Sequence, residues 1–479
     1  MNTLAIDQGT SSTKALVVAN DGSVLACVEA EVKPVAAPDG GVEQNPEELW
    51  QSVVEAGRAA LAAARVPVGA IGLANQGETV LAWDPATGRP LTPAISWQDR
   101  RSASVTNRMT DQGEELRALT GLPLDPYFAA PKMTWIREQL TREGVVTTSD
   151  AWLIHRLTGR YATDATTASR TMLLDLDSMT WSARAIDAFD LGRERLPEIL
   201  ACDAVVGDTT AFGPALPLSG LAVDQQAALF GDGCHVRGAA KCTYGTGAFL
   251  LANAGVTGLR SGSGLASSVA WRLDGAAAYC LDGQVYTAGA AVRWLQEVGL
   301  IDRAADLDAI GSQATTTDGV LFVPGLAGLA APFWRPRARG SFMGLSLATT
   351  RAHLVRAFLE GIAASIAWLV RAAEEDLGQP LERLAADGGL TASSVLMQLQ
   401  SDLAQVPIDV YPTPHATAVG VAAMARMGMG QREQASRMTT GWVPAARYEP
   451  QVSADEADER LERWRVAALS TIEGTGVNP

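Results

Sequence analysis

The stretch LAIDQGTSSTKALVVANDGSVLA, residues 4–26, runs an apolar strand into a lone acid, crosses a patch of glycine and hydroxyls, and resumes as an apolar strand. Its alternation and turn residues predict a β-hairpin, with strands at residues 4–6 and 15–18, a tight turn at Asn20-Asp21-Gly22 and a third strand over residues 24–28. Asp7 then sits at a strand end beside Gly9-Thr10-Ser11-Ser12. A glycine leaves backbone N–H groups uncovered and neighbouring hydroxyls add donors, so this loop can cradle a phosphate while Asp7 holds a magnesium ion. An ordinary hairpin turn has the same composition, so this loop alone does not decide between the two.

The pattern recurs. AKCTYGTGAFLLANAG, residues 240–255, again sets strand, turn and strand in a row, with Tyr244-Gly245-Thr246-Gly247 as a second loop. In AADGGLTASSVLMQLQ, residues 385–400, Asp387-Gly388-Gly389 follows a strand and precedes a helix, whose N-terminus offers unpaired N–H groups and a positive dipole end. Three such loops imply a nucleotide, and the repeated opening unit implies two similar domains.

Helical periodicity alternates with these strands, which makes the chain α/β. In NPEELWQSVVEAGRAALAAARV, Asn45 is a capping residue, Pro46 a first-turn residue, and Leu49, Val53, Val54 and Leu61 form one apolar face. In residues 351–378, Leu354, Phe358, Leu359, Ile362, Ile366, Leu369 and Val370 keep to one face of a scaffold helix. The segment holding Gly220, Gly231 and Gly233 suits a hinge between the halves, and the Ala/Asp/Glu-rich end from Ser453 reads as a terminal surface helix.

Composition limits the partners. The 479 residues, 47% hydrophobic, exceed what one core usually supports. A formal charge of -15 with no long Lys/Arg run disfavours nucleic acid and anionic membrane surfaces, leaving a small molecule. The first residues lack a basic leader, and no apolar stretch is read as reaching the roughly 20 residues that span a bilayer. The expectation is a soluble, cytoplasmic protein, with a homodimer compatible with the sequence. The five cysteines show no C-x-x-C spacing and read as reduced core thiols.

Nine ordered segments carry a family resemblance: DQGTSSTKAL, GGVEQNPEELW, WQDRR, LDPYFAAPKMTWI, DQQAALFG, TYGTGAF, AGAAVRWL, PFWRPRARGSFMGLS and DGGLTASSVLMQLQSD. Together they resemble the FGGY carbohydrate kinases, glycerol kinases above all, in order from residue 4 to about residue 427. The resemblance implies two actin-like, ribonuclease-H-like domains with an interdomain cleft. The first, 1–231, would bind polyol or sugar and carry the first phosphate loop; the second, 232–479, would bind nucleotide and end in helices. It further implies ATP, Mg2+ and phosphoryl transfer to a small polyol or sugar.

Matched position by position, Asp224 resembles the catalytic base and Gln225 its substrate-binding neighbour. A carboxylate that accepts the hydroxyl proton is what phosphoryl transfer asks for, and a helix cap is the structural alternative for Asp224. Glu78 and Tyr127 match hydrogen-bonding positions of the polyol site, Trp97 an apolar wall and Phe249 a further wall. Thr10, Ser11 and Ser12 resemble phosphate contacts with Lys14 beside them. Thr246 and Gly289 match the other phosphates, and Gly389, Leu390 and Ser393 the adenosine pocket. Three positions depart from the glycerol-kinase pattern: Ser393 replaces Asn, Lys14 replaces Arg, and Gly77 in NQGET replaces an arginine that would clasp the polyol. The vacated volume suggests a four- or five-carbon polyol or ketose, unless Arg100 or Arg101 supplies the missing charge and glycerol remains the substrate. A non-catalytic actin-like ATP-binding module is the rival from another class.

Overall fold

The computed structural model describes residues 1–37 and 39–473. Two mixed sheets repeat the duplication read from the sequence. The first contains β1 (Asn2–Gln8), β2 (Ser12–Val18), β3 (Val24–Glu31), β4 (Val68–Asn75), β5 (Gly207–Thr209) and β6 (Leu216–Val223), ordered β5-β6-β4-β1-β2-β3. The second contains β7 (Ala240–Tyr244), β8 (Ala248–Gly255), β9 (Ala266–Leu273), β10 (Ala276–Val285), β11 (Leu384–Asp387), β12 (Ile408–Val410) and β13 (Ala446–Tyr448), ordered β9-β10-β8-β7-β11-β12-β13. In each, a glycine-hydroxyl turn folds the first two strands antiparallel, and a later strand joins the first strand in parallel: β4 beside β1, β11 beside β7. With β5, β9 and β13 set aside as additions at the edges, β3-β2-β1-β4-β6 in the first sheet corresponds to β10-β8-β7-β11-β12 in the second.

The helices used below are α1 (Pro46–Ala64), α2 (Ala165–Ser169), α3 (Asp224–Gly231), α4 (Gly289–Glu297), α5 (Arg351–Leu377), α6 (Ser394–Ala404), α7 (Ala416–Gly428) and α8 (Ala454–Glu473). As expected, Asn45 caps α1, its side chain accepting from Glu47 N at 3.0 Å, and Pro46 opens the first turn. Leu49, Val53, Ala56 and Ala60 are buried beneath the first sheet, with Val54 and Leu61 at the half-buried margin.

Helix α5 is buried almost all round rather than along one face. By length and composition it could cross a membrane, which corrects the expectation that no stretch reaches that limit, but 72% of its apolar window lies inside the protein. It is the core helix of the second half. Helix α8 is likewise more than a surface helix: Leu461, Trp464 and Ala468 are buried, and Trp464 Nε1 donates to Phe322 O at 2.9 Å. All five cysteines are free; four are buried as expected, whereas Cys27 is exposed, because β3 lies at the sheet edge with alternate side chains outward.

Each half gives the other a helix. Helix α3 follows β6 of the first sheet and packs on β7 and β8 of the second; α7 follows β12 of the second and packs on β1, β4 and β6 of the first. The two helices cross with backbones touching. A Cβ on Gly231 would lie 2.1 Å from Ala416 O, and one on Gly420 only 1.8 Å from Ala227 O. Gly220 admits α7 in the same way, its Cβ position lying 2.5 Å from Ala425 N. Gly220 and Gly231, expected to supply hinge freedom, are therefore close-packing residues; Gly233 is the one in the left-handed region, at φ +72°. The buried Arg426 of α7 ties the halves further, donating to the carbonyls of Val18, Ala19 and Asn20.

Candidate active site

A cavity of about 400 Å³ opens where the two hairpin turns face each other. Its lining brings together Asp7, Thr10, Ser11, Ser12, Lys14, Gly77, Glu78, Trp97, Tyr127, Asp224, Gln225, Thr246, Phe249 and Gly389, all singled out from the sequence. Gly289, Leu390 and Ser393 are not on that lining. Gly289 opens α4 and its N–H donates to Gly245 O at 2.9 Å, holding the Thr246 turn. The Ser393 hydroxyl caps α6, accepting from Leu396 N at 3.1 Å, and donates to Asp308.

On one side lies the first turn, closed by Gly9 N donating to Ser12 O at 3.0 Å. Ser12 Oγ donates to Glu29, and Thr10 O accepts from Gln44 Nε2 at 2.7 Å. Asp7 and Lys14 are paired across β1 and β2. Burial, with the nearby Asp387 and Glu29 charges, pushes Asp7 up to about 6 against the pull of Lys14. Asp387 lines the same cavity, and its buried Oδ2 has no hydrogen-bond partner. Among the described residues no group of three or more His, Cys, Asp or Glu is gathered to hold a metal alone. Magnesium commonly takes one or two carboxylates and completes its shell with phosphate oxygens and water, so the pair Asp7 and Asp387 fits that ion.

Asp224 opens α3 on the lining of the cavity, with its Oδ1 accepting from Gln225 N at 2.7 Å. It belongs to the first turn; the cap position itself is Val223. Burial raises Asp224 to about 7, helped by Asp7 and Glu78 and opposed by Lys241. A carboxylate so placed is poised to take a proton near neutral pH.

The far wall is aromatic and charged. Trp97 meets Tyr127 and Phe249 edge-on at 5.8 and 6.0 Å. It is not only an apolar wall, because its Nε1 donates to Thr10 Oγ1 at 2.8 Å. Glu78 sits in the left-handed region, φ +58°, at the centre of a tight turn closed by Thr79 N and Gly77 O at 2.8 Å. Such backbone strain concentrates at functional sites, and here it aims the Glu78 carboxylate at Arg170 Nε, 2.6 Å away. A Cβ on Gly77 would meet only Val223, at 3.4 Å and beyond, so the position has room.

Neither arginine of WQDRR fills that room. Arg100 pairs with Asp125 at 3.1 Å and stacks over Tyr286, and Arg101 is engaged by Asp99 and Glu43. Neither lines the cavity. Arg170 does, and sequence reasoning passed over it; a lone arginine in ATTASRTMLL, among small and apolar residues, was the available signal. Asp282 in AYCLDGQVY was missed in the same way, as was Lys241, whose buried amine donates to Gln225 Oε1 at 2.6 Å and Thr243 Oγ1 at 2.7 Å. Lys132 was also missed; fully buried, it donates to the carbonyls of Pro126, Tyr127 and Phe128 and so fixes the Tyr127 loop.

The models of the FGGY family of carbohydrate kinases match both halves, the N-terminal domain over residues 2–231 and the C-terminal domain over 240–429. A glycerol kinase of Burkholderia pseudomallei is 39% identical over 97% of this chain and 96% of its own, and one of Thermus brockianus 40% identical over 97% of each. Among solved structures, Plasmodium falciparum glycerol kinase with ADP superposes with a TM-score of 0.90 at 30% identity, covering 98% of each chain. A xyloylose kinase from Brucella ovis reaches 0.87 at 25% identity, over 98% of this chain and 99% of its own. With both domain models matched and full-length relatives near 40% identity, this chain belongs to the FGGY family of carbohydrate kinases.

Proposed function

We propose that the protein transfers the γ-phosphate of ATP, with Mg2+, to a hydroxyl of a neutral polyol or ketose, and that it prefers four or five carbons to glycerol. The observation that carries the reading is Asp224, at the N-terminus of α3, in one cavity with two glycine-hydroxyl turns and a polar pocket walled by aromatics. Nothing in a filament former or a chaperone calls for such a pocket.

Asp224 takes the proton as the hydroxyl attacks, and its raised pKa suits that role. Glu78, Gln225 and Tyr127 orient the polyol, and Lys241 holds Gln225 in place. The backbone N–H groups and hydroxyls of Thr10, Ser11 and Thr246 receive phosphate oxygens. Asp7 and Asp387 would hold magnesium, which neutralises charge on the transferring group. Closure of the two halves around both ligands would exclude water that competes for the phosphoryl group.

The longer substrate is supported by the room at Gly77, which lacks the side chain that would clasp a three-carbon chain. Glycerol itself is the second reading, supported by the relatives named glycerol kinase and by Arg170, which brings a guanidinium into the pocket from another direction. ADP release measured with glycerol, erythritol, ribitol, xylitol and xylulose tests both. Turnover independent of every polyol overturns the kinase reading in favour of an ATP-binding module. A tenfold or greater kcat/KM for glycerol, about 1.4 kcal/mol in transition-state binding, overturns the length preference.

A further inference from the structure

Arg170 follows α2 in the first half, and Asp282 lies on β10 of the second, yet the two side chains meet within the cavity. Both are almost fully enclosed, with 3% and 6% of their side chains exposed. Arg170 Nε donates to Glu78 Oε1. Its Nη1 is held against Asp282 Oδ2 as an ion pair, while Nη2 makes no hydrogen bond among the described residues. Asp282 Oδ1 is also buried without a partner. The guanidinium is nevertheless fixed, stacked 5.2 Å from the Phe128 ring and 5.6 Å from Tyr127.

A buried carboxylate oxygen left without a partner, beside a guanidinium with an N–H to spare, is costly unless something in the cavity completes it. A hydroxyl does both at once, accepting from a guanidinium and donating to a carboxylate. We propose that Arg170 and Asp282 form a hydroxyl-reading pair that binds the end of the polyol remote from the phosphorylated carbon. The inference rests on the kinase reading above and names its specificity determinant. Asp224, Arg170 and Asp282 line one cavity, and neither Arg170 nor Asp282 bonds to Asp224 among the described residues, so the pair is available to a hydroxyl other than the reacting one.

The charge balance narrows the ligand class. The guanidinium is paired directly with two carboxylates, and the neighbouring amines of Lys132 and Lys241 are turned onto backbone carbonyls and onto Gln225 and Thr243, so no cation is left free for a sugar acid. A neutral polyol or ketose fits; an aldonate does not. Because Arg170 and Asp282 come from different halves, a hydroxyl seated between them also holds the cleft together.

The test compares the best polyol of the panel with its analogue lacking the terminal hydroxyl farthest from the phosphorylated carbon. The analogue is propane-1,2-diol for glycerol and butane-1,2,3-triol for a tetritol. Wild-type enzyme should lose at least tenfold in kcat/KM on the analogue, mainly through KM, since a site built to bond a hydroxyl rejects a substrate without one. In Asp282→Asn the two substrates should come within about threefold of each other, with KM for ATP within twofold of wild type, and gluconate should not be phosphorylated by the wild type. Wild-type enzyme that treats polyol and deoxy analogue alike overturns the proposal, as does an Asp282→Asn variant that keeps the discrimination or wild-type turnover of gluconate. Should that variant not fold, the wild-type comparison decides alone. Absence of any polyol phosphorylation is a different result: it removes the kinase reading first, and this assignment with it.

Discussion

The indole Nε1 of Trp97 donates a 2.8 Å hydrogen bond to Thr10 Oγ1, joining a wall of the proposed polyol pocket to the turn proposed to hold phosphate. The bond spans 87 residues of sequence and makes the two subsites one unit. Trp97→Phe keeps the edge-on packing on Tyr127 and Phe249 but removes this donor. A neutral hydrogen bond contributes about 1 kcal/mol net, so kcat/KM should fall roughly fivefold for polyol and for ATP together. Steady-state kinetics with each substrate varied in turn would check this; an effect confined to the polyol would separate the subsites.

Asp224→Asn should leave nucleotide binding within about twofold, measured by calorimetry, while kcat falls by roughly 10² to 10⁴, the range that positioned general bases contribute. Near-native turnover would remove Asp224 from the role of base.

The acid side of the rate profile follows from the same residue. In the proposed reaction the ionised carboxylate is the active form, and burial with the Asp7 and Glu78 charges raises Asp224 to about 7. Activity should therefore drop as pH falls from 8 to 6. Lys241 is the cation that opposes this rise, so Lys241→Gln should move the acid midpoint upward. A pH profile of kcat/KM for the polyol in both proteins measures the shift, and a downward movement would contradict the assignment.

Gly77→Arg tests the substrate length. The Cβ position meets only Val223 at ordinary contact distance, and the backbone there needs no left-handed conformation, so the variant should fold. An arginine directed into the pocket would fill it beside Glu78. The kcat/KM ratio of xylitol or erythritol to glycerol should fall tenfold or more, read from the same coupled assay.

Gly420→Ala tests the crossing of α3 and α7. Its added carbon would lie 1.8 Å from Ala227 O, where only backbone movement can relieve it. Overpacking of this kind costs about 1–3 kcal/mol and occasionally more, so denaturant midpoints should drop accordingly. An unchanged midpoint would mean that the helices separate easily.

What the sequence determined by itself is the local chemistry of each segment. The alternation around Asp7 and around Thr246 predicts two glycine-hydroxyl hairpins, Asn45 and Pro46 predict the start of α1, and the nine ordered segments predict the family. These are readable because strand pairing across a short turn and helix capping depend on neighbours a few residues apart. Only the tertiary structure decided which charges meet. Arg170 lies 92 residues from Glu78 and 112 from Asp282, and no periodicity connects them. Arg100 and Arg101, in the same short segment as Trp97, looked like the source of the missing charge, but Asp125, Asp99 and Glu43 engage them instead. Gly220 and Gly231 looked like hinge residues for the same reason: a sequence reveals the freedom of a glycine, whereas the carbonyl of Ala416 and the amide of Ala425 that forbid a side chain there arrive from 185 and 205 residues away. Burial and ion pairing are set by three-dimensional neighbours, and those are contributed by the other half of the chain.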